Sequence, residues 1–138
     1  MNRVLGIDPG EARIGIAVSD ELNMLAHPLV TLNAREDPIE KIRAIVAEKG
    51  VDRIVIGVPR NMDGSYGPAA EKSRAFADLL TQKLGLPVIK WDERLTTVAA
   101  QRALHEAGRN AKQQKSVIDQ AAAQIILQGW LDGPGSLL

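Results

Sequence analysis

Apolar residues recur along the chain in short continuous runs and in runs with helical spacing, which together predict strands alternating with helices. The first two short runs cover residues 4–7 and 13–18, and Pro9-Gly10 lies between them. They predict two strands joined by a tight turn. A third strand is predicted over residues 24–32, where Pro28 favours an edge or irregular position in the sheet.

The middle of the chain has the pattern of helix-linked parallel strands. A helix is predicted to open at Asp37-Pro38 and to stop at Gly50, because proline suits the first helical position and glycine the end. The segment over residues 51–58 contains a continuous apolar run, residues 54–58, which predicts a central parallel strand. A turn-rich loop over residues 59–68, a helix over 69–84 and a strand over 86–91 are predicted to follow.

The C-terminal third predicts two helices. One is capped by Thr96 or Thr97 and reaches about Ala107, and the last begins at Ser116. The last helix is predicted to bury one face, formed by Ile118, Ala121, Ala122, Ile125 and Gly129. The order of elements predicts an α/β fold in which an antiparallel start leads into two helix-linked parallel strands.

Length and composition predict one compact domain over residues 1–138, with a mass of 14.9 kDa. The chain has no cysteine, which excludes a disulfide framework, a thiolate zinc site and a cysteine nucleophile. No signal-peptide pattern and no membrane-length apolar run occur, so we expect a cytoplasmic protein without membrane contact. The 17 basic residues balance the 17 acidic ones, which argues against non-specific coating of nucleic acid.

One local cluster of positive charge could still contact nucleic acid. It consists of Arg102, Arg109, Lys112 and Lys115, opposed only by Glu106. A solvated helix or loop face explains the same cluster, and charge alone favours that explanation.

Acidic residues follow two of the predicted strands and begin the last helix. Asp8 ends the first strand, and Asp92 and Glu93 end the strand over residues 86–91. In a parallel arrangement both strands deliver their acids to the same carboxyl edge, where open α/β sheets bind ligands. Asp119 lies in the predicted first turn of the last helix, and the small residues after it would let that helix approach the same edge.

Each acid also has a structural explanation. An aspartate before Pro-Gly often hydrogen-bonds the turn that it opens, which would account for Asp8. Asp119 stands three residues after Ser116, the spacing of a helix-capping pair. Asp92 and Glu93 could pair with Arg94 or cap the following helix.

Convergence of these carboxylates would favour a metal site. Carboxylates close together repel one another unless cations neutralise them, and oxygen-only ligands suit Mg²⁺ or Mn²⁺. Two such ions about 4 Å apart stabilise the attacking and leaving oxygens of a phosphodiester. The pattern therefore predicts metal-assisted phosphodiester hydrolysis with water as the nucleophile.

Four motifs together resemble those of the YqgF family. They are Gly6-Ile7-Asp8-Pro9-Gly10 with Arg13-Ile14-Gly15, then Gly57-Val58-Pro59-Arg60-Asn61-Met62-Asp63-Gly64, then Asp92-Glu93-Arg94-Leu95-Thr96-Thr97, and Asp119-Gln120-Ala121-Ala122. Members of that family are described as Holliday junction resolvases and as nucleases that mature the 5′ end of pre-16S ribosomal RNA. The resemblance spans nearly the whole chain. It implies a ribonuclease H-like fold related to the RuvC resolvases, with a central mixed five-stranded sheet whose first three strands are antiparallel.

The resemblance also implies roles for the acids. Asp8 matches the catalytic acid of the first strand and Asp119 that of the closing helix. Glu93 is the expected middle acid, because the related resolvases use a glutamate there, and Asp92 is the alternative metal ligand. RuvC resolvases carry a fourth acid near the last one, whereas residues 120–131 of this chain contain none.

Contacts with the nucleic-acid backbone are expected from a set of polar and basic residues. The loop over residues 60–67 is interpreted as a flap ordered by substrate, or else as an ordinary surface loop. The expected substrate contacts are Arg60 and Asn61 in that loop, together with Arg13, Arg94, Lys112 and Lys115. The expected substrate is structured RNA, such as pre-16S rRNA, or branched DNA.

Two other functions start from the same residues. The first hairpin is similar to that of sugar kinases, Hsp70 and actin, which hold nucleotide phosphates there, but those proteins need two such domains and this chain supplies one. A nucleic-acid-binding module without activity is the second alternative, and the retention of three acids argues against it. A resolvase acting on a two-fold symmetric junction would be a homodimer, whereas an RNA-processing enzyme could be a monomer.

Overall fold

The computed structural model describes residues 2–95 and 111–137, without side-chain detail for 95, 111–118, 136 and 137. Its five strands form one mixed sheet in the spatial order β3-β2-β1-β4-β5. The strands are β1 (Arg3–Pro9), β2 (Arg13–Ser19), β3 (Ala26–Asn33), β4 (Val51–Val58) and β5 (Val88–Asp92). β1, β2 and β3 pair antiparallel, and β4 pairs parallel with both β1 and β5. This arrangement confirms the predicted mixed sheet.

Within the described ranges three helices pack on the sheet, namely α1 (Pro38–Lys49), α2 (Pro68–Leu84) and α3 (Ala111–Asp132). Helices α1 and α2 cover one face of the sheet and α3 covers the other. The boundaries of α1 and α2 follow from local chemistry. Each has a proline in its first turn and ends at a glycine in the left-handed region, Gly50 with φ 67° and Gly85 with φ 69°.

Alternation along β1 decides which residues face α3. Leu5 and Ile7 are fully buried in the core beneath α1 and α2, whereas Val4 is buried in the core beneath α3. Because successive strand residues point to opposite faces, Gly6 and Asp8 share the α3 face with Val4. The end of β1 therefore presents its acid under α3.

Three strand glycines let α3 lie unusually close to the sheet. A Cβ atom on Gly6 would come within 2.7 Å of the Leu127 Cβ atom, and one on Gly57 within 2.5 Å of the Ile126 Cδ1 atom. A Cβ atom on Gly15 would come within 1.9 Å of the backbone oxygen of Asp119. Glycine in a strand often marks such a close approach, and here it sets the height of α3 above three adjacent strands.

Polar side chains of α3 also bind the edge strand β3. Gln124 Nε2 donates to the Ala26 carbonyl at 3.0 Å, and Gln128 Oε1 accepts from the Ala26 N–H at 2.8 Å. These bonds satisfy the N–H and the carbonyl of Ala26, the first residue of the edge strand. The edge position predicted from Pro28 is confirmed.

Two predictions about the last helix are wrong. The chain is already helical at Ala111, so Ser116 cannot cap the helix and Asp119 lies about two turns inside it. The buried face is also rotated from the predicted one and consists of Ala122, Ala123, Ile126, Leu127, Trp130 and Leu131. Apolar residues occur on nearly every side between residues 121 and 131, so their spacing alone does not fix the buried side. The helix predicted from Thr96 or Thr97 lies outside the described residues.

Among residues 2–95 and 111–137, no helix is both long enough and apolar enough to cross a bilayer.

Candidate active site

Asp8 lies at the centre of the candidate site. It is 4% exposed, near the carboxyl end of β1, and it pairs across the strands with Gly15. Burial of a carboxylate is costly unless hydrogen bonds, cations or solvent compensate it. A buried acid on the functional edge of an α/β sheet is therefore the first feature to explain.

Asp119 approaches this position from the β2 side. Its backbone lies directly over Gly15, the partner of Asp8, because Gly15 has no side chain. Its carboxylate accepts a hydrogen bond from Arg13 Nε at 2.9 Å, in an ion pair in which the Asp119 side chain is 17% exposed and that of Arg13 39%. The acid of the last helix is thus held above β2 by a residue from the start of that strand.

Glu93 approaches from the β4 side. It is the first residue of a 3-10 turn that follows β5, and its Oε1 atom lies 2.7 Å from where a Cβ atom of Gly57 would be. Gly57 follows Ile56, which pairs with Ile7 of β1, so Gly57 lies beside Asp8 in the sheet. The carboxylate of Glu93 therefore reaches the same face of the sheet as Asp8.

Asp92 makes different contacts from its neighbour. Its Oδ2 atom accepts hydrogen bonds from Arg94 Nη2 at 2.8 Å and from Arg60 Nη1 at 3.4 Å. The hydrogen bonds from Arg94 hold the pKa of the Asp92 carboxyl below its ordinary value of 3.8. Two arginines thus engage Asp92, whereas Glu93 points over the sheet, and this difference favours Glu93 as the middle acid.

The loop over residues 60–67 is held by hydrogen bonds between its own residues. Arg60 Nε donates to the Gly64 carbonyl at 3.0 Å, and its guanidinium lies 4.6 Å from the centre of the Tyr66 ring. Asn61 Nδ2 donates to Ser65 Oγ at 2.9 Å. Met62, near the tip of the loop, is 92% exposed. The loop begins directly after β4, so it borders the candidate site.

We expect Asp92→Asn to weaken the attachment of this loop to β5. The substitution should lower the free energy of unfolding by about 1 kcal/mol near neutral pH, since it removes the charge that two arginines contact. Because folding lowers the pKa of Asp92, its stabilisation is present above pH 3.8 and is lost as the pH falls through the lowered value. Melting temperatures of wild type and variant, followed from neutral to acidic pH, should therefore converge.

Asp78→Asn is the matched control for that measurement. Its carboxylate lies on α2, pairs with Lys90 at 2.9 Å and is 72% exposed. This variant should differ from wild type by no more than about 0.5 kcal/mol in the free energy of unfolding. A gap between wild type and Asp92→Asn that widens on acidification would contradict the proposed attachment.

The donor chemistry of the three acids suits a hard divalent cation. Asp8, Glu93 and Asp119 offer only carboxylate oxygens, which Mg²⁺ and Mn²⁺ prefer. In the described part of the chain, however, no three Asp, Glu, His or Cys side chains are grouped closely enough to hold one ion. Arg13 is the group that competes with a cation at Asp119. The residues fit an oxygen-ligated ion in type and in the face of the sheet that they share.

Several predicted contact residues cannot be placed. Lys112 and Lys115 belong to α3, but their side chains lie outside the described residues, as do Arg102 and Arg109 entirely. Arg94 lies within the described residues, and its Nη2 atom forms an ion pair with Asp92 Oδ2 at 2.8 Å.

The sequence patterns did not reveal two features of this edge. The strand glycines Gly15 and Gly57 create the space that the acids enter, and glycine inside an apolar strand run was the available signal. Arg35 was also missed, because it follows β3 in a segment without periodic pattern.

Comparison with known proteins gives consistent matches over nearly the whole chain. The family model RuvX, described as Holliday junction resolvase, matches residues 2–133. A protein of Acetivibrio thermocellus named "Putative pre-16S rRNA nuclease" is 50% identical over 140 residues, covering 99% of both chains. A protein of Halothermothrix orenii with the same name is 47% identical over 132 residues, covering 94% of both chains.

Solved structures of similar fold include resolvases. Thermus thermophilus RuvC in complex with a Holliday junction substrate aligns with a TM-score of 0.56 at 15% identity, covering 99% of this chain and 97% of that one. The fowlpox virus Holliday junction resolvase aligns with a TM-score of 0.52 at 14% identity, covering 99% of both chains. At such low identity the likeness establishes the ribonuclease H-like fold, which confirms the prediction from the motifs. The family match over residues 2–133 and the close full-length relatives establish more: this chain belongs to the RuvX (YqgF) family of nucleases, which are hydrolases of phosphodiester bonds.

Proposed function

We propose that this chain is a divalent-metal-dependent endonuclease that processes the 5′ end of pre-16S rRNA, with Asp8, Glu93 and Asp119 as its catalytic acids. The observation that carries the proposal is the placement of Asp119 over Gly15 and of Glu93 over Gly57, on the two strands that flank Asp8 and on one face of the sheet. The close relatives named as pre-16S rRNA nucleases support the choice of substrate.

Hydrolysis of a phosphodiester needs a water to attack phosphorus while the bond to the leaving oxygen breaks and that oxygen gains a proton. The three carboxylates would hold Mg²⁺ or Mn²⁺, most simply as two ions bound together with substrate. Bound there, such ions supply positive charge for the attacking and leaving oxygens. Asp8, being buried between the other two, would fix the position of the ions relative to the sheet.

The proposed contacts to the RNA backbone include three residues near the acids. Arg13 and the loop residues Arg60 and Asn61 lie at the edge where β1 and β4 end. Arg94, Lys112 and Lys115 complete the proposed set. Because the net charge of the chain is zero, binding must rely on this local concentration of cations. The whole chain would act as one nuclease domain in the cytoplasm, where rRNA precursors are processed.

Holliday junction resolution is the second candidate. The observation that favours it is the fold shared with RuvC, whose structure was solved with a junction substrate. A two-fold symmetric junction requires two active sites, so this function needs a homodimer, whereas trimming of an RNA end needs only a monomer.

A cleavage panel separates these candidates. The protein is incubated with a fragment spanning the 5′ end of the 16S rRNA precursor and with a four-way DNA junction, each in Mg²⁺, in Mn²⁺ and in EDTA. We expect cleavage of the precursor in the presence of either ion and none in EDTA. Faster cleavage of the junction by a dimeric species would favour the resolvase. Binding of both substrates without cleavage of either would favour a non-catalytic module.

A further inference from the structure

A polar groove next to Asp119 contains two arginines, Arg13, which is already among the proposed RNA contacts, and Arg35, which is not. The groove has a volume of about 430 Å³ and lies between the start of β2 and the end of β3. Its lining residues are Ala12, Arg13, Thr31, Leu32, Asn33 and Arg35. Asn33 pairs across the strands with Arg13, and Thr31 pairs with Gly15, over which Asp119 packs. The groove is therefore the lateral continuation of the candidate active site.

The backbone around Arg35 is fixed by hydrogen bonds, while its side chain is exposed to solvent. Its backbone N–H donates to Asn33 Oδ1 at 2.9 Å, and the preceding Ala34 N–H donates to the Ala12 carbonyl at 2.9 Å. Its side chain is exposed and forms no ion pair or side-chain hydrogen bond with the residues that the structure describes. Arg35 contributes to the lowered pKa of the Glu11 carboxyl, but the largest cause is the hydrogen bond from Lys72, with which Glu11 is already paired.

Arg13 connects the groove to the acids. The same guanidinium that lines the groove neutralises Asp119 through the 2.9 Å contact. A divalent ion ligated by Asp119 would lie close to that positive charge, and like charges at short range repel. Arg13 and a metal ion therefore compete for one carboxylate.

We propose that this groove is a binding subsite for a phosphate of the substrate backbone, in which Arg35 and Arg13 contact the phosphate and Arg13 thereby releases Asp119 to the metal. The inference rests on the proposed nuclease function, which supplies a polyanionic substrate. Guanidinium groups match phosphate oxygens in charge and in geometry, and Asn33 adds a neutral hydrogen-bonding group. Substrate binding and metal binding would then favour each other, since coupling between sites is reciprocal.

Binding of nucleic acid without metal tests the subsite. The probe is a fluorescein-labelled RNA hairpin in EDTA, titrated by anisotropy over a range of salt concentrations. Arg35→Gln should bind the hairpin about tenfold more weakly, as expected for the loss of a charged hydrogen bond. The slope of log affinity against log salt should fall by about 0.7 to 0.9, the value for one phosphate contact. Arg43→Gln removes the same charge from the exposed side of α1 and should bind like wild type.

Binding of metal without nucleic acid tests whether Arg13 competes with the metal ion for Asp119. Mn²⁺ is titrated into wild type, Arg13→Gln and Arg35→Gln by calorimetry, with melting temperatures showing that each variant is folded. Arg13→Gln should bind Mn²⁺ about tenfold more tightly, because a competing positive charge has been removed, and Arg35→Gln should match wild type. Unchanged or weaker Mn²⁺ binding by Arg13→Gln would overturn the release.

The subsite and the nuclease proposal fail in different ways. If Arg35→Gln binds the hairpin as Arg43→Gln does while the wild type still cleaves RNA, the subsite is refuted and the nuclease stands. If Arg35→Gln weakens hairpin binding but no substrate is cleaved in any metal, the subsite stands and the nuclease proposal is refuted.

Discussion

Asp8→Asn is expected to slow metal-dependent cleavage by about 10³-fold, equivalent to about 4 kcal/mol in the activation free energy. Asparagine keeps the size of the side chain and one of its oxygens but removes the charge that would hold a divalent ion between Glu93 and Asp119. Asp8 is 4% exposed and lies on β1, between the strands over which Asp119 and Glu93 are placed. The measurement is the single-turnover rate on the RNA precursor in Mn²⁺.

The same variant should retain the fold and the affinity for RNA. Binding of the hairpin in EDTA should be as tight as in wild type or tighter, because a negative charge near the backbone phosphates has been removed. Asp78→Asn, an exposed aspartate on α2, controls for the charge change and should cleave at the wild-type rate. Undiminished cleavage by Asp8→Asn would refute the assignment of the site.

Gly15→Ala is expected to lower the free energy of unfolding by about 3 kcal/mol, the upper range for an overpacked core. The new Cβ atom would fall 1.9 Å from the backbone oxygen of Asp119, a distance that no side-chain rotation can relieve. Either α3 moves away from the sheet or β2 shifts. Any outward movement of α3 also carries Asp119 away from Asp8. Stability in chemical denaturation and the cleavage rate should therefore fall together.

Gly85→Ala separates this steric effect from the loss of backbone freedom. Gly85 has φ 69°, so alanine is strained there, but no atom lies within 4 Å of its would-be Cβ. We expect a cost of about 1 kcal/mol, from the left-handed conformation alone, and no change in cleavage by the folded fraction. Equal destabilisation by the two variants would show that α3 does not pack on Gly15 as closely as described.

The position at which β5 ends determines the different contacts of Asp92 and Glu93. The two acids are adjacent, and their residue types alone could not distinguish them. In the structure Asp92 ends β5 and contacts Arg94 and Arg60, whereas Glu93 begins a turn that carries its carboxylate over Gly57. The choice depends on where the strand stops, which is a property of its pairing with β4. The preference for Glu93 remains a prediction that Glu93→Gln can test.

Helix boundaries were predictable where local residues decide them. Pro38, Gly50 and Gly85 act through backbone geometry that needs no distant partner, and both helices lie where these residues indicate. The start of α3 was mispredicted because Ser116 has the side chain of a cap but lies inside a longer helix. Helix propensity around it, together with packing of the later turns on the sheet, outweighed that local preference.

Residue patterns alone were enough to predict the sheet and its helix connections, because strand and helix patterns are local. The convergence of the three acids at the edge of the sheet stays a prediction. Packing in three dimensions was needed to reveal which face of α3 is buried and that Arg13 pairs with Asp119, a residue 106 positions away along the chain. Contacts between such distant residues depend on how closely two elements can approach each other. Here glycines on three strands set that distance, which no pattern within α3 itself encodes.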